Sequence, residues 1–219
     1  MKLVQEFAQV LACVLGLKQK GEYAAGLREI DRALKKFWDI DPERAGELSL
    51  EDWIGFCRAE GTAAEQSLMA LAGLFQEQGE LHAIEGRSDS SRQSQALALG
   101  LYLEALASCV VSLDLLQKVE HLIEQTADAP LSHEVLRRLL GYFEARGQFA
   151  KAEDTLFAWL DTGDAGAAAA GEAFYERLRG KSDQALAMGG LPRVEVEQGR
   201  EEFCECVARG SNPDIAYPL

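Results

Sequence analysis

Apolar side chains recur at helical spacing along most of the chain. Near the amino terminus, Phe7, Val10, Val14 and Leu17 lie three or four residues apart, with polar residues between them. This period of about 3.6 residues predicts amphipathic helices, whereas the side chains of a strand alternate with a period of two. Because the same spacing returns in segment after segment, the sequence predicts an all-α fold.

Glycine and proline separate these segments into pairs of antiparallel helices. Gly21, Gly86 and Gly147 each follow a helical segment, where a residue that can adopt a left-handed backbone ends the helix. The predicted helix pairs span about residues 2–39, 63–108, 132–161 and 165–208, within one domain over residues 1–209. Residues 210–219 contain two prolines and predict an extended tail.

Serines mark three further local features. Ser49 precedes an apolar segment and Ser132 precedes the third pair, and each is predicted to cap the amino end of a helix. The run from Arg87 to Ser94 holds four serines and no apolar residue. It predicts an elongated polar turn between the two helices of the second pair.

Large and small side chains follow a regular order between residues 136 and 160. The order comprises Leu139, Phe143, Gly147, Phe149, Ala152, Leu156 and Leu160. This pattern resembles a tetratricopeptide repeat, in which a turn glycine and a small crossing residue let two helices approach closely. Leu140 and Trp159 depart from the family pattern, which prefers glycine and alanine there, and predict a locally wider packing.

Looser copies of the pattern surround Gly21 and Gly86. The turn glycines are 65 and 61 residues apart, about twice the usual repeat period of roughly 34. The resemblance implies antiparallel helical hairpins stacked as a degenerate tetratricopeptide-like α-solenoid, whose first helices line a groove that binds a protein or peptide. The whole layout also resembles an uncharacterised bacterial family of helical proteins. In this register the residues that line the groove are Lys18, Gln19, Gln76, Glu80, Ile84, Glu134, Arg137, Gly141 and Glu144. Arg138 follows Arg137, and either guanidinium could pair with an acidic group of the partner.

The charge of the chain narrows the class of partner. With 36 acidic and 22 basic residues, the net charge is −14, and the resulting field repels nucleic acid. A basic or neutral protein partner is therefore favoured. Gln5 and Glu6 interrupt the first apolar segment, which argues against a signal peptide, and no apolar run is long enough to cross a bilayer. The sequence thus predicts a cytoplasmic protein.

Residues with the spacing of known catalytic or metal sites are not found. His82, His121 and His133 lie far apart and predict helix-surface or boundary positions, outside any metal motif. The five cysteines, Cys13, Cys57, Cys109, Cys204 and Cys206, are predicted to be mostly small buried side chains. We therefore expect no catalytic residue, cofactor or metal.

Three functions are compatible with these patterns. The first is a non-enzymatic module or scaffold that binds a protein or peptide. The second is an oligomeric helical scaffold such as a homodimer, in which Ile215, Tyr217 and Leu219 of the tail occupy a groove. The third is a small-ligand sensor or enzyme with a pocket between helices, which requires converging polar groups.

Overall fold

A computed structural model describes residues 2–108 and 112–210 of the chain. Twelve α-helices and one short 3₁₀ turn make up the regular structure of these residues, and no strand occurs among them. The predicted all-α class is therefore confirmed. The chain divides into two compact units, residues 1–131 and residues 132–219, which are called the amino-terminal and carboxy-terminal units below.

The amino-terminal unit contains seven helices and the 3₁₀ turn within its described residues. Their bounds are α1 (Lys2–Gln19), α2 (Tyr23–Trp38), α3 (Pro42–Ala45), α4 (Leu50–Ala59), the 3₁₀ turn (Gly61–Ala63), α5 (Ala64–Ile84), α6 (Ser88–Ser108) and α7 (Leu113–Gln125). Helix α1 packs on α2, and α5 packs on α6, as the predicted pairs require. Helix α5 also contacts α1, α2 and α4, so it lies at the centre of this unit.

Three of the predicted local signals lie where the sequence places them. Gly21 and Gly86 have φ values of +76° and +74°, so each adopts the left-handed backbone that ends a helix. Ser49 caps α4: its Oγ accepts a bond of 3.2 Å from the Asp52 N–H, and its own N–H donates to Asp52 Oδ2 over 2.9 Å. This reciprocal pair satisfies two backbone donors at the helix start.

The polar run from Arg87 to Ser94 was expected to form a turn, and this expectation is wrong. Helix α6 begins at Ser88 and contains the rest of the run. The reason is a close approach to α5 at Gly79, where a Cβ would lie 3.2 Å from the Ser91 carbonyl oxygen and 2.7 Å from Gln95 Cγ. Small and polar side chains let α5 and α6 pack this closely together. The segment from Ser88 to Ser94 is therefore helical, and Ser91 and Ser94 are buried.

Aromatic side chains form the core of the amino-terminal unit around Trp53. Trp53 is fully buried, and its ring lies 5.0 Å from that of Phe75, 6.0 Å from that of Phe56 and 6.2 Å from that of Trp38. The rings of Phe75, Phe56 and Trp38 all pack edge-on against the Trp53 indole, which is a favoured geometry for aromatic pairs. The cluster joins α2, α4 and α5.

The described part of the carboxy-terminal unit, residues 132–210, contains five helices. Their bounds are α8 (His133–Ala145), α9 (Phe149–Asp161), α10 (Gly166–Arg179), α11 (Asp183–Met188) and α12 (Arg193–Gly210). Helices α8 and α9 form the predicted hairpin, with Gly147 at φ +69° in the turn and Ala152 and Leu156 fully buried. Ser132 occupies the predicted cap position of α8, but its side chain makes no capping bond.

A second turn packs against the α8–α9 turn. Gly189, at the end of α11, accepts a hydrogen bond of 3.1 Å from the Ala150 N–H. A Cβ at Gly189 would lie 2.4 Å from the Gly147 carbonyl oxygen and 2.3 Å from a ring carbon of Phe149. Only a residue without a side chain fits at this contact.

Candidate functional site

The predicted groove residues fall into two groups, one in each unit. Lys18, Gln19, Gln76, Glu80 and Ile84 belong to the amino-terminal unit, on α1 and α5. Glu134, Arg137, Arg138, Gly141 and Glu144 belong to the carboxy-terminal unit, and all lie on α8.

In the amino-terminal unit, three of the candidates form one polar cluster. Lys18 Nζ donates to Glu80 and, over 3.1 Å, to Glu77 Oε2. Gln76 Nε2 donates to Glu80 Oε1 over 3.4 Å, and the Tyr102 hydroxyl donates to Gln76 Oε1 over 3.3 Å. We call these five residues the Lys18 cluster. Gln19 and Ile84 are exposed beside it and take no part.

The protonation states of the Lys18 cluster follow from burial and charge. Burial lowers the pKa of the Lys18 ammonium, but the hydrogen bonds to Glu80 and Glu77 outweigh that effect and raise it. Burial raises the pKa of the Tyr102 phenol, and Asp114, Glu77 and Glu80 raise it further. Lys18 therefore stays charged and Tyr102 stays neutral near pH 7, which favours a structural role over proton transfer.

We expect the Lys18–Glu80 pair to stabilise the contact of α1 with α5. In a double-mutant cycle of Lys18→Met and Glu80→Gln, urea unfolding should give a coupling energy of about 1 kcal/mol, because both side chains are mostly shielded from water. The Arg92–Asp89 pair is the matched control, since its side chains are 47% and 97% exposed. Its coupling should be near zero, and equal values for the two pairs would contradict the prediction.

In the carboxy-terminal unit, α8 exposes a row of residues spaced one turn apart. His133, Arg137, Gly141 and Ala145 recur every four residues, and all four are exposed. A Cβ at Gly141 would meet no described atom within 4 Å. We call this row the α8 strip; it contains Arg137 and Gly141 of the predicted groove and adds His133 and Ala145.

Arg138 and Glu144, which lie outside this strip, make hydrogen bonds within the carboxy-terminal unit. Arg138 donates from a terminal guanidinium nitrogen to the Glu134 carbonyl oxygen over 3.0 Å. Glu144 accepts two hydrogen bonds from Arg177 on α10, of 2.6 Å and 2.8 Å, and its side chain is only 16% exposed. This two-bond pairing is a strong form of ion pair. The Glu144–Arg177 ion pair thus links α8 to α10.

Cysteines and histidines provide no metal site within the described residues. Cys57 is buried, and burial raises the pKa of its thiol to about 12, but Cys13 and Cys204 are exposed and Cys206 is half-buried. The prediction of mostly buried cysteines is therefore wrong for α1 and α12, because their outer faces carry these side chains; Cys109 lies outside the described residues. His121 and His133 are exposed and His82 is half-buried, as predicted.

A shallow depression lies at the start of α2. It has a volume of about 380 Å³ and is lined by Gly21, Glu22, Tyr23, Ala24, Ala25, Arg28 and Glu85. It is open to solvent, unlike the enclosed cavities that bury most of the surface of a small ligand. No helix within residues 2–108 and 112–210 has the length and apolar character needed to cross a bilayer.

A family model covers almost the whole chain. The model of DUF6483, described as a family of unknown function, matches residues 1–207. The chain is a member of DUF6483. The predicted membership of an uncharacterised family is thereby confirmed. The match assigns no repeat type, so the tetratricopeptide-like architecture stays a prediction. No curated protein and no solved structure matches this DUF6483 chain significantly.

Proposed function

We propose that this DUF6483 chain is a non-enzymatic module that binds a protein or peptide segment in the cytoplasm through the α8 strip. The observation that carries the proposal is the strip itself. Its residues are exposed over three turns of α8, and Gly141 near its centre leaves a shallow gap in the helix surface. Such a gap admits a partner backbone or side chain close to the helix.

The resemblance of residues 136–160 to a tetratricopeptide repeat supports this proposal. In such repeats the first helix of each pair lines the binding face. Helix α8 is the first helix of its pair, and Ala152 is fully buried where α8 and α9 cross. Stacking of all the helix pairs into a tetratricopeptide-like solenoid is part of the same proposal.

The charge of the chain indicates what the partner should carry. A net charge of −14 favours a partner that is basic or neutral overall. Arg137, in the middle of the strip, offers a guanidinium group to an acidic side chain or a terminal carboxylate at the contact point. The proposed ligand is therefore a basic or neutral segment with one acidic group facing α8.

Affinity capture from the native cell extract tests the proposal. We expect Arg137→Glu to lower recovery of the partner by about tenfold, because charge reversal at a central contact removes about 1.4 kcal/mol or more of binding free energy. Arg200→Glu is the matched control: Arg200 is exposed on α12 of the same unit and lies off the strip. Its capture should equal that of the wild type.

A photoreactive side chain at position 141 identifies what touches the strip. The residue at this position has open space around it, so the probe should cross-link the partner without disturbing α8. A covalent adduct with a different protein supports the proposal. An adduct with a second copy of the chain indicates the oligomeric scaffold instead, and equal loss of capture in both arginine variants would contradict the proposal.

A further inference from the structure

A half-buried carboxylate lies between three helices of the carboxy-terminal unit. Glu153 projects from α9 and accepts a hydrogen bond of 2.8 Å from the Tyr175 hydroxyl on α10. Helix α12 contacts both α9 and α10. No lysine or arginine of the described residues lies within ion-pair distance of this carboxylate. Glu153 is therefore partly desolvated without a compensating cation.

The backbone of α12 lies directly against this carboxylate. A Cβ at Gly199 would lie 2.1 Å from Glu153 Oε1 and 3.0 Å from the Tyr175 hydroxyl oxygen. One turn further along, Phe203 fills the space beside Gly171 on α10. Because Gly199 has no side chain, the backbone of α12 can lie directly over the Glu153 carboxylate. A negative charge on Glu153 would therefore lie at the contact between α9 and α12.

The surrounding titratable groups make the negative charge less favourable. From α9, α10 and α12, the groups that face Glu153 are Asp154, Tyr175, Glu195 and Glu202. Burial raises the pKa of Glu153; the Tyr175 hydrogen bond lowers it, and the three acidic neighbours raise it, with a net increase. Burial also raises the pKa of Tyr175, so its phenol remains a donor.

We propose that Glu153 is a pH-sensitive clamp for α12, which holds the helix closely while its carboxyl group is neutral and loosens it when the group ionises. The folded-state pKa of Glu153 lies above its ordinary value of 4.5. The contribution of Glu153 to the docking of α12 is therefore fully present when the pH is below the ordinary pKa of 4.5. This contribution is lost as the pH rises through the raised pKa of the folded state. Opening of α12 is expected to increase as the solution becomes less acidic.

Hydrogen exchange of the α12 amides in the full chain tests the clamp. Protection factors, which remove the intrinsic effect of pH on exchange, should fall in the wild type by up to about tenfold for each pH unit across the interval in which Glu153 titrates. Glu153→Gln keeps the shape and the acceptor for Tyr175 but cannot ionise, so its α12 protection should be flatter with pH and higher above that interval. Glu205→Gln, an equal charge change at an exposed position of α12, should follow the wild type.

The wild-type chain provides a second measurement that needs no variant. In a carbon-detected NMR titration, the Glu153 carboxyl carbon should titrate at a higher pH than the ordinary value of 4.5. Parallel pH profiles of α12 protection in the wild type and Glu153→Gln would overturn the clamp. A Glu153 titration at or below the ordinary value would also overturn it.

Discussion

Replacing Trp53 with alanine is expected to lower the free energy of unfolding of the amino-terminal unit by about 4 kcal/mol. Trp53 is fully buried and contacts rings from α2, α4 and α5, so its removal leaves a large cavity where three helices meet. That loss is a substantial fraction of the stability of an ordinary domain, which is about 5–15 kcal/mol. Urea unfolding followed by far-UV circular dichroism measures it.

Two variants separate the cavity from other effects of this substitution. The Trp53 Nε1–H group is buried and has no hydrogen-bond partner within the described residues. Trp53→Phe removes this unpaired donor but keeps a ring, so it should cost less than half as much as alanine. Phe56→Ala, at a half-buried position of the same cluster, should also cost less. A Trp53→Ala loss below about 1 kcal/mol would show that the cluster is not the core of this unit.

Gly189→Ala should lower the free energy of unfolding of the carboxy-terminal unit by about 3 kcal/mol. Gly189 has φ −82°, which any residue adopts, so the cost comes from contact alone. The added methyl group would lie 2.4 Å from the Gly147 carbonyl oxygen. Because that neighbour is backbone, a change of rotamer cannot relieve the overlap, and one of the two turns must move.

Gly141→Ala is the matched control for Gly189→Ala, with the opposite expected sign. Gly141 is inside α8, and an added methyl group meets no described atom within 4 Å. Alanine is favoured over glycine in a helix by about 0.5–1 kcal/mol, so this variant should be more stable than the wild type. Thermal and urea unfolding of the two variants measure both effects. Destabilisation by both would show that the packing against Gly147 is not the cause.

The sequence predicts the boundaries of the helices better than it predicts their contacts. Gly21, Gly86, Gly147 and Ser49 act locally, since a left-handed backbone or a capping hydroxyl needs only neighbouring residues, and all four have the predicted roles. The run after Arg87 was assigned to a turn because it is polar. Its helical state depends on the approach of α5 at Gly79, which local composition does not reveal.

At the candidate surface, too, local features are predicted better than contacts between distant residues. Helical spacing correctly places Arg137 and Gly141 on the exposed face of α8. It does not show that Arg177, from a distant part of the chain, pairs with Glu144. The i,i+3 spacing of Glu77 and Glu80 was a usable signal for the charge facing Lys18, whereas the packing of Gly199 over Glu153 requires the tertiary structure.

The three tryptophans give the two units separate optical signatures. Trp38 and Trp53 belong to the amino-terminal unit, with ring centres 6.2 Å apart at an angle of 86°, whereas Trp159 belongs to the carboxy-terminal unit and donates to Asp164 over 3.1 Å. Fluorescence of a chain with Trp38→Phe and Trp53→Phe would therefore report on the carboxy-terminal unit, and fluorescence of a Trp159→Phe chain would report on the amino-terminal unit. Each half of the molecule carries its own intrinsic reporter.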